Sequence, residues 1–108
     1  MSNTNASEHI GIAFDPTVGR QDALNALLEQ IMGSYSVSDD EGPLADAVEE
    51  FLTARCPHLK VLRHGDTIVA STHAGRDRRV LLAGHLDTVP VIDNFPPRWL
   101  EPGDPLIR

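Results

Sequence analysis

His85 and Asp87 have the residue types and the spacing for metal chemistry. They are an imidazole and a carboxylate two positions apart, in the stretch Gly84-His85-Leu86-Asp87-Thr88-Val89-Pro90. In an extended segment, residues i and i+2 project to the same side. Asp87 can then accept a hydrogen bond from one ring nitrogen of His85. That fixes the tautomer and leaves the lone pair of the other nitrogen for a metal ion. Taken alone, such a triplet also describes a surface ion pair, and the two residues leave both readings open. Their placement adds weight to the metal reading without deciding between the two. Val80-Leu81-Leu82-Ala83, directly upstream, is a continuous apolar run between Arg79 and Gly84. A run without alternation predicts a strand buried on both faces. Ligands of open α/β sheets bind beyond the carboxyl ends of such strands.

The other residues with chemical potential read as ordinary structure. His9, His58, His64 and His73 fall in a terminus, turns or exposed strands and should be solvated. Cys56 is the one cysteine, so neither an internal disulfide nor a thiolate metal cage can form. Beside Pro57 at a helix end, it reads as a structural thiol. Ser38-Asp39-Asp40-Glu41 has the S-x-x-E spacing of a capping box, which predicts a helix start rather than a metal cluster. Its carboxylates would also suit the positive end of the helix dipole.

Several elements must hold these residues. Asp15-Pro16 is a helix-start signal, with Gly19 delaying the regular helix to about Arg20. Ala23, Leu24, Leu27, Leu28 and Ile31 then form one apolar stripe, and Gly33 stops it. A second helix runs from Pro43 to Pro57, with Leu44, Ala47, Val48, Phe51 and Leu52 on its buried face. Residues 59–63 and 67–72 predict a hairpin turning at Gly65-Asp66. Residues 1–14 read as a flexible leader, and 15–108 as one unit. Within it, 91–108 carries four of the eight prolines and should be an extended loop. That tail is expected to pack on chain beyond Arg108.

Composition narrows the class. Hydrophobic residues are 41% and charged residues 23% of the 108, as in a globular domain. A net charge of −7 argues against a nucleic-acid or anionic-membrane partner. No apolar run reaches the length of a membrane span, and the polar start lacks the features of a signal peptide. The cytoplasm is the expected location.

The stretch V-L-L-A-G-H-L-D-T-V-P, residues 80–90, resembles the first metal-binding motif of the M20 family of metallopeptidases and amidohydrolases. Val91-Ile92-Asp93-Asn94-Phe95-Pro96 is most similar to the family's desuccinylase branch, in its actinobacterial form. Ser36-Val37-Ser38-Asp39-Asp40-Glu41 looks like the same branch's segment between the first two helices. The resemblance covers about residues 15–108. It implies the N-terminal, incomplete part of a three-layer α/β/α zinc-peptidase domain: two helices, a hairpin and a buried strand. It implies a metal-ligand role for His85 and a catalytic role for Asp87. It also implies two zinc ions per complete site, with cobalt as a substitute, a small-molecule substrate, and a homodimer for the full-length enzyme. The implied reaction is hydrolysis of an amide, with N-succinyl-LL-2,6-diaminopimelate as the expected substrate. N-acetylornithine, a peptide, or a non-catalytic interaction module remain the alternatives. The family's bridging Asp, adjacent glutamates and further ligands are not found here, so the 108-residue chain by itself is expected to be inert.

Overall fold

The computed structural model describes residues 9–101. Residues 1–8 of the expected leader and 102–108 of the proline-rich tail lie outside the described residues. Asp15 accepts hydrogen bonds from the Thr17 backbone N–H at 2.9 Å and from the Thr17 hydroxyl at 2.6 Å, opening a short 3-10 turn over Pro16–Val18. The Thr17 hydroxyl and amide together hold the Asp15 carboxyl below its ordinary pKa. Gly19, at φ 99°, breaks this turn from the helix that follows. Only glycine adopts that backbone without strain.

Helix α1, Arg20–Met32, ends at Gly33, and helix α2, Gly42–Arg55, ends at Cys56 before Pro57. The predicted stripe of α1 is turned inward unevenly. Ala23 is buried and Leu27 and Ile31 half-buried, while Leu24 and Leu28 stay largely exposed. On α2, Leu44 and Ala47 are buried as expected, joined by Ala45, and Val48, Phe51 and Leu52 are half-buried. Ahead of α1, Ala13 exchanges two 2.8 Å hydrogen bonds with the Gln30 side chain, and the Phe14 carbonyl accepts from Arg55.

The hairpin forms where the β-branched residues predict it. Strand β1, Lys60–His64, pairs antiparallel with β2, Thr67–Ser71, from Lys60↔Ser71 to His64↔Thr67. Gly65 sits in the left-handed region at φ 59° and makes the two-residue turn possible. Helix α2 packs against both strands. The described residues thus form a small α/β unit of two helices and one two-stranded antiparallel sheet, compatible with an incomplete α/β domain.

Arg63 joins the hairpin to α2. Its guanidinium lies 3.0 Å from Asp46, 2.9 Å from Glu49 and 3.1 Å from Asp66. Its Nε also donates to the Gly65 carbonyl at 2.5 Å. Desolvation works against the charge of Arg63, but the carboxylates of Asp46, Asp66 and Glu49 outweigh it and raise its pKa. Arg63→Ala should lower the stability to denaturant by about 1–2 kcal/mol, as several partly exposed pairs are lost together. Arg63→Lys should restore only part of this, because a point ammonium cannot span the fork of acceptors. Equal stability of wild type and alanine variant in a urea titration would contradict this account of the joint.

One expectation is corrected. Val80, Leu81 and Leu82 are 85%, 83% and 91% exposed, and residues 80–83 belong to no strand. A strand buried on both faces needs neighbours in its sheet and a layer above and below it. Among the described residues no strand pairs with this run and no helix covers it. Two residues of the tail also meet the described chain. Phe95 meets Tyr35 edge-to-face at a ring separation of 6.2 Å, and the Trp99 indole N–H donates to Glu29 of α1. Both rings remain partly exposed, Phe95 at 38% and Trp99 at 54%.

Candidate functional site

The segment carrying His85 and Asp87 is extended, and it is held at Thr88. Val37 and Thr88 form a parallel bridge. The Ser38 N–H donates to the Thr88 carbonyl at 3.0 Å, and the Thr88 N–H donates to the Ser36 carbonyl at 2.9 Å. Ser36 itself is buried, so this short pairing is anchored in the interior. The sheet contact predicted for residues 80–83 therefore falls later in the chain, beyond the histidine.

His85 and Asp87 are brought together. The ring Nδ1 lies 2.9 Å from the Asp87 backbone carbonyl and 3.2 Å from its carboxylate Oδ1. A carbonyl can only accept a hydrogen bond, so Nδ1 carries a proton, and in the neutral ring the lone pair is then on Nε2. Nε2 has no hydrogen-bond partner among the described residues, and the side chain is 82% exposed. The i, i+2 spacing indicated the carboxylate contact. It gave no sign of the second acceptor, the Asp87 carbonyl, because a backbone oxygen has no letter in the sequence.

The other oxygen of Asp87 has a partner that sequence reasoning placed elsewhere. Ser38 Oγ donates to Asp87 Oδ2 at 2.7 Å. The Ser38 hydroxyl is the main cause of the lowered Asp87 pKa, and the nearby His85 adds to it against some desolvation. The capping box expected from Ser38 and Glu41 does not form. Helix α2 begins at Gly42 with Glu41 as its N-cap, and no side-chain hydrogen bond caps it. Ser38 instead turns away from the helix, through a turn in which the Asp40 N–H donates to the Val37 carbonyl at 2.7 Å. Asp39 takes φ 77° there, a left-handed conformation that Asp tolerates better than most residues.

His85, Asp87 and Leu86 border an open cleft of about 650 Å³, whose opposite walls are Glu41, Val48 and Leu52 near α2 and Asp66, Thr67, Ile68 and Ala70 of the hairpin. Glu41 Oε1 is buried there without a hydrogen-bond partner. As a metal site the donors are incomplete. His85 offers one imidazole, and no three His, Cys, Asp or Glu side chains among the described residues converge on one point. A zinc site takes three or four protein ligands. The described residues thus do not by themselves make up a zinc site. The remaining histidines, His9, His58, His64 and His73, are exposed, and His9 pairs with Glu50 at 3.3 Å. Cys56 is a free, half-buried thiol. No helix among the described residues is long and apolar enough to cross a membrane.

No family model matches the chain, and no solved structure matches it. It is similar to curated proteins of two actinobacteria. In two strains of Mycobacterium tuberculosis, a protein provisionally named succinyl-diaminopimelate desuccinylase DapE is 48% identical over 63 residues, 58% of this chain and 18% of the relative. The succinyl-diaminopimelate desuccinylase of Corynebacterium glutamicum is 38% identical over 73 residues, 67% of this chain and 20% of the relative. The chain is thus related to desuccinylases over a part of its length, and it spans about a fifth of the length of these relatives.

Proposed function

We propose that the chain is the histidine-bearing N-terminal segment of a zinc-dependent amidohydrolase of the M20 type. In this reading the whole protein hydrolyses N-succinyl-LL-2,6-diaminopimelate to succinate and LL-2,6-diaminopimelate. One observation carries the reading. His85 commits Nδ1 to Asp87 and leaves Nε2 free at the edge of a cleft. The partial similarity to desuccinylases supports the choice of substrate. His85 would hold the metal through Nε2, and Asp87 would keep the ring from rotating and its Nδ1 protonated. Zinc, or cobalt in its place, would supply the Lewis acidity that polarises the amide carbonyl. The protein would work in the cytoplasm, as a homodimer, on a small molecule rather than on nucleic acid or membrane.

The test is made on the protein encoded by the reading frame that contains this segment. It should release succinate from the succinylated substrate, lose that activity to a chelator, and regain it with zinc. The frame should also carry a glycine-rich segment with an Asp and, later, two adjacent glutamates. A metal-replete protein that leaves this substrate intact and deacylates N-acetylornithine would move the assignment to the deacetylases. The 108-residue chain alone should show no tight zinc binding by calorimetry, since one imidazole competes poorly with water. Stoichiometric binding that His85→Ala abolishes would instead indicate a site assembled between copies.

A further inference from the structure

We propose that Ser38 is a positioning residue for the site: its hydroxyl sets the Asp87 carboxylate, and through it the orientation and protonated face of the His85 ring. The two oxygens of Asp87 are divided between two donors. Oδ2 takes the Ser38 hydroxyl at 2.7 Å, and Oδ1 faces His85 Nδ1 at 3.2 Å. The Asp87 carbonyl, 2.9 Å from Nδ1, already holds the same proton, and a carboxylate free to rotate would add its oxygen to that hold for less of the time. With Oδ2 fastened, Oδ1 has one direction left to point.

The backbone around Ser38 is built for this contact. Ser38 donates its N–H to the carbonyl of Thr88, the residue after Asp87, so serine and carboxylate are held side by side by main-chain bonds. The turn that follows requires a left-handed Asp39. It carries Ser38 toward residue 88 and away from α2, whose N-terminus is left without a side-chain cap. A serine that merely started the helix would bond its amides. Here the hydroxyl forgoes that role for a carboxylate 49 residues away.

The importance of this link for catalysis rests on the metal-ligand reading of His85, but its test does not. Long-range nitrogen–proton NMR of the full 108-residue chain at about pH 8.5, where an ordinary imidazole is neutral, reports which ring nitrogen of His85 bears the proton. The wild-type chain should show mainly the Nδ1–H form. Ser38→Ala should shift the ratio of tautomers toward Nε2–H by roughly two- to tenfold, the range expected for one net hydrogen bond. Ser38→Thr keeps the hydroxyl and should restore the wild-type ratio. Protection of the Thr88 amide from exchange monitors the neighbouring backbone bridge. Should the alanine variant lose that protection, Ser38→Cys keeps the size with a far weaker donor and should shift the ratio with Thr88 still protected. The proposal is overturned by an unchanged ratio in a variant that keeps Thr88 protected. It is equally overturned if every shift comes with loss of that protection, because the backbone bridge alone would then hold Asp87. A protein that passes this test and yet hydrolyses no acylated amine would retain the positioning link and lose the proposed function.

Discussion

Leu44→Ala should destabilise the chain by about 2–5 kcal/mol, the cost of removing a buried leucine and leaving a cavity. Leu44 is 1% exposed and is the largest fully buried side chain among the described residues. The other buried hydrophobic residues there are Ala23, Ala45 and Ala47, which have no long side chains to swing into the space. Where in that range the loss falls depends on how far the half-buried side chains, Val48, Phe51 and Leu52 of the same helix among them, move into the space. A small domain has a total stability of about 5–15 kcal/mol, and the variant should therefore lose much of its cooperative melt. Leu24→Ala serves as the comparison. Leu24 lies on the same predicted kind of stripe but is half exposed, and its truncation should cost below about 1.5 kcal/mol. Equal losses for the two variants in urea titrations would show that the burial around Leu44 does not act as the core.

That difference between Leu44 and Leu24 marks how far local pattern reaches. The two helices and the hairpin were legible because their signals are local: Asp15-Pro16, Gly19 and Gly33 around one helix, Pro43 and Pro57 around the other, and Gly65-Asp66 between β-branched runs. Which apolar residues are buried depends on what packs against them, and periodicity carries no information on that. Val80-Leu81-Leu82-Ala83 is the sharpest case. Its composition describes a strand inside a sheet, yet no described element pairs with it or covers it. The site divides in the same way. His85 and Asp87 are two residues apart and their contact could be read from spacing. The hydroxyl that holds Asp87 comes from Ser38, across the fold, and its neighbourhood imitates a capping box. Local rules favoured the helix start; the structure spends the serine on the site, the kind of local violation that accompanies function.

If the proposed function holds, His85→Ala, made in the whole protein that carries this segment, should lower kcat/KM for the succinylated substrate by about a thousandfold, because a metal's Lewis acidity is worth several kcal/mol and each 1.36 kcal/mol is tenfold in rate. Zinc content, measured on the purified variant, should fall with it. Asp87→Asn should cost less, about 10- to 100-fold, the range for residues that orient a metal ligand. The order follows from the geometry. Removing His85 removes the one imidazole among the described residues that line the cleft. Removing the charge of Asp87 leaves its backbone carbonyl still 2.9 Å from Nδ1, so the tautomer keeps one of its two supports. The two variants should therefore separate in zinc content as well as in rate, with Asp87→Asn retaining more metal. A His85→Ala protein with full zinc content and near-normal kcat/KM would remove the imidazole from the site and, with it, the reason for reading this segment as part of a metal-dependent hydrolase.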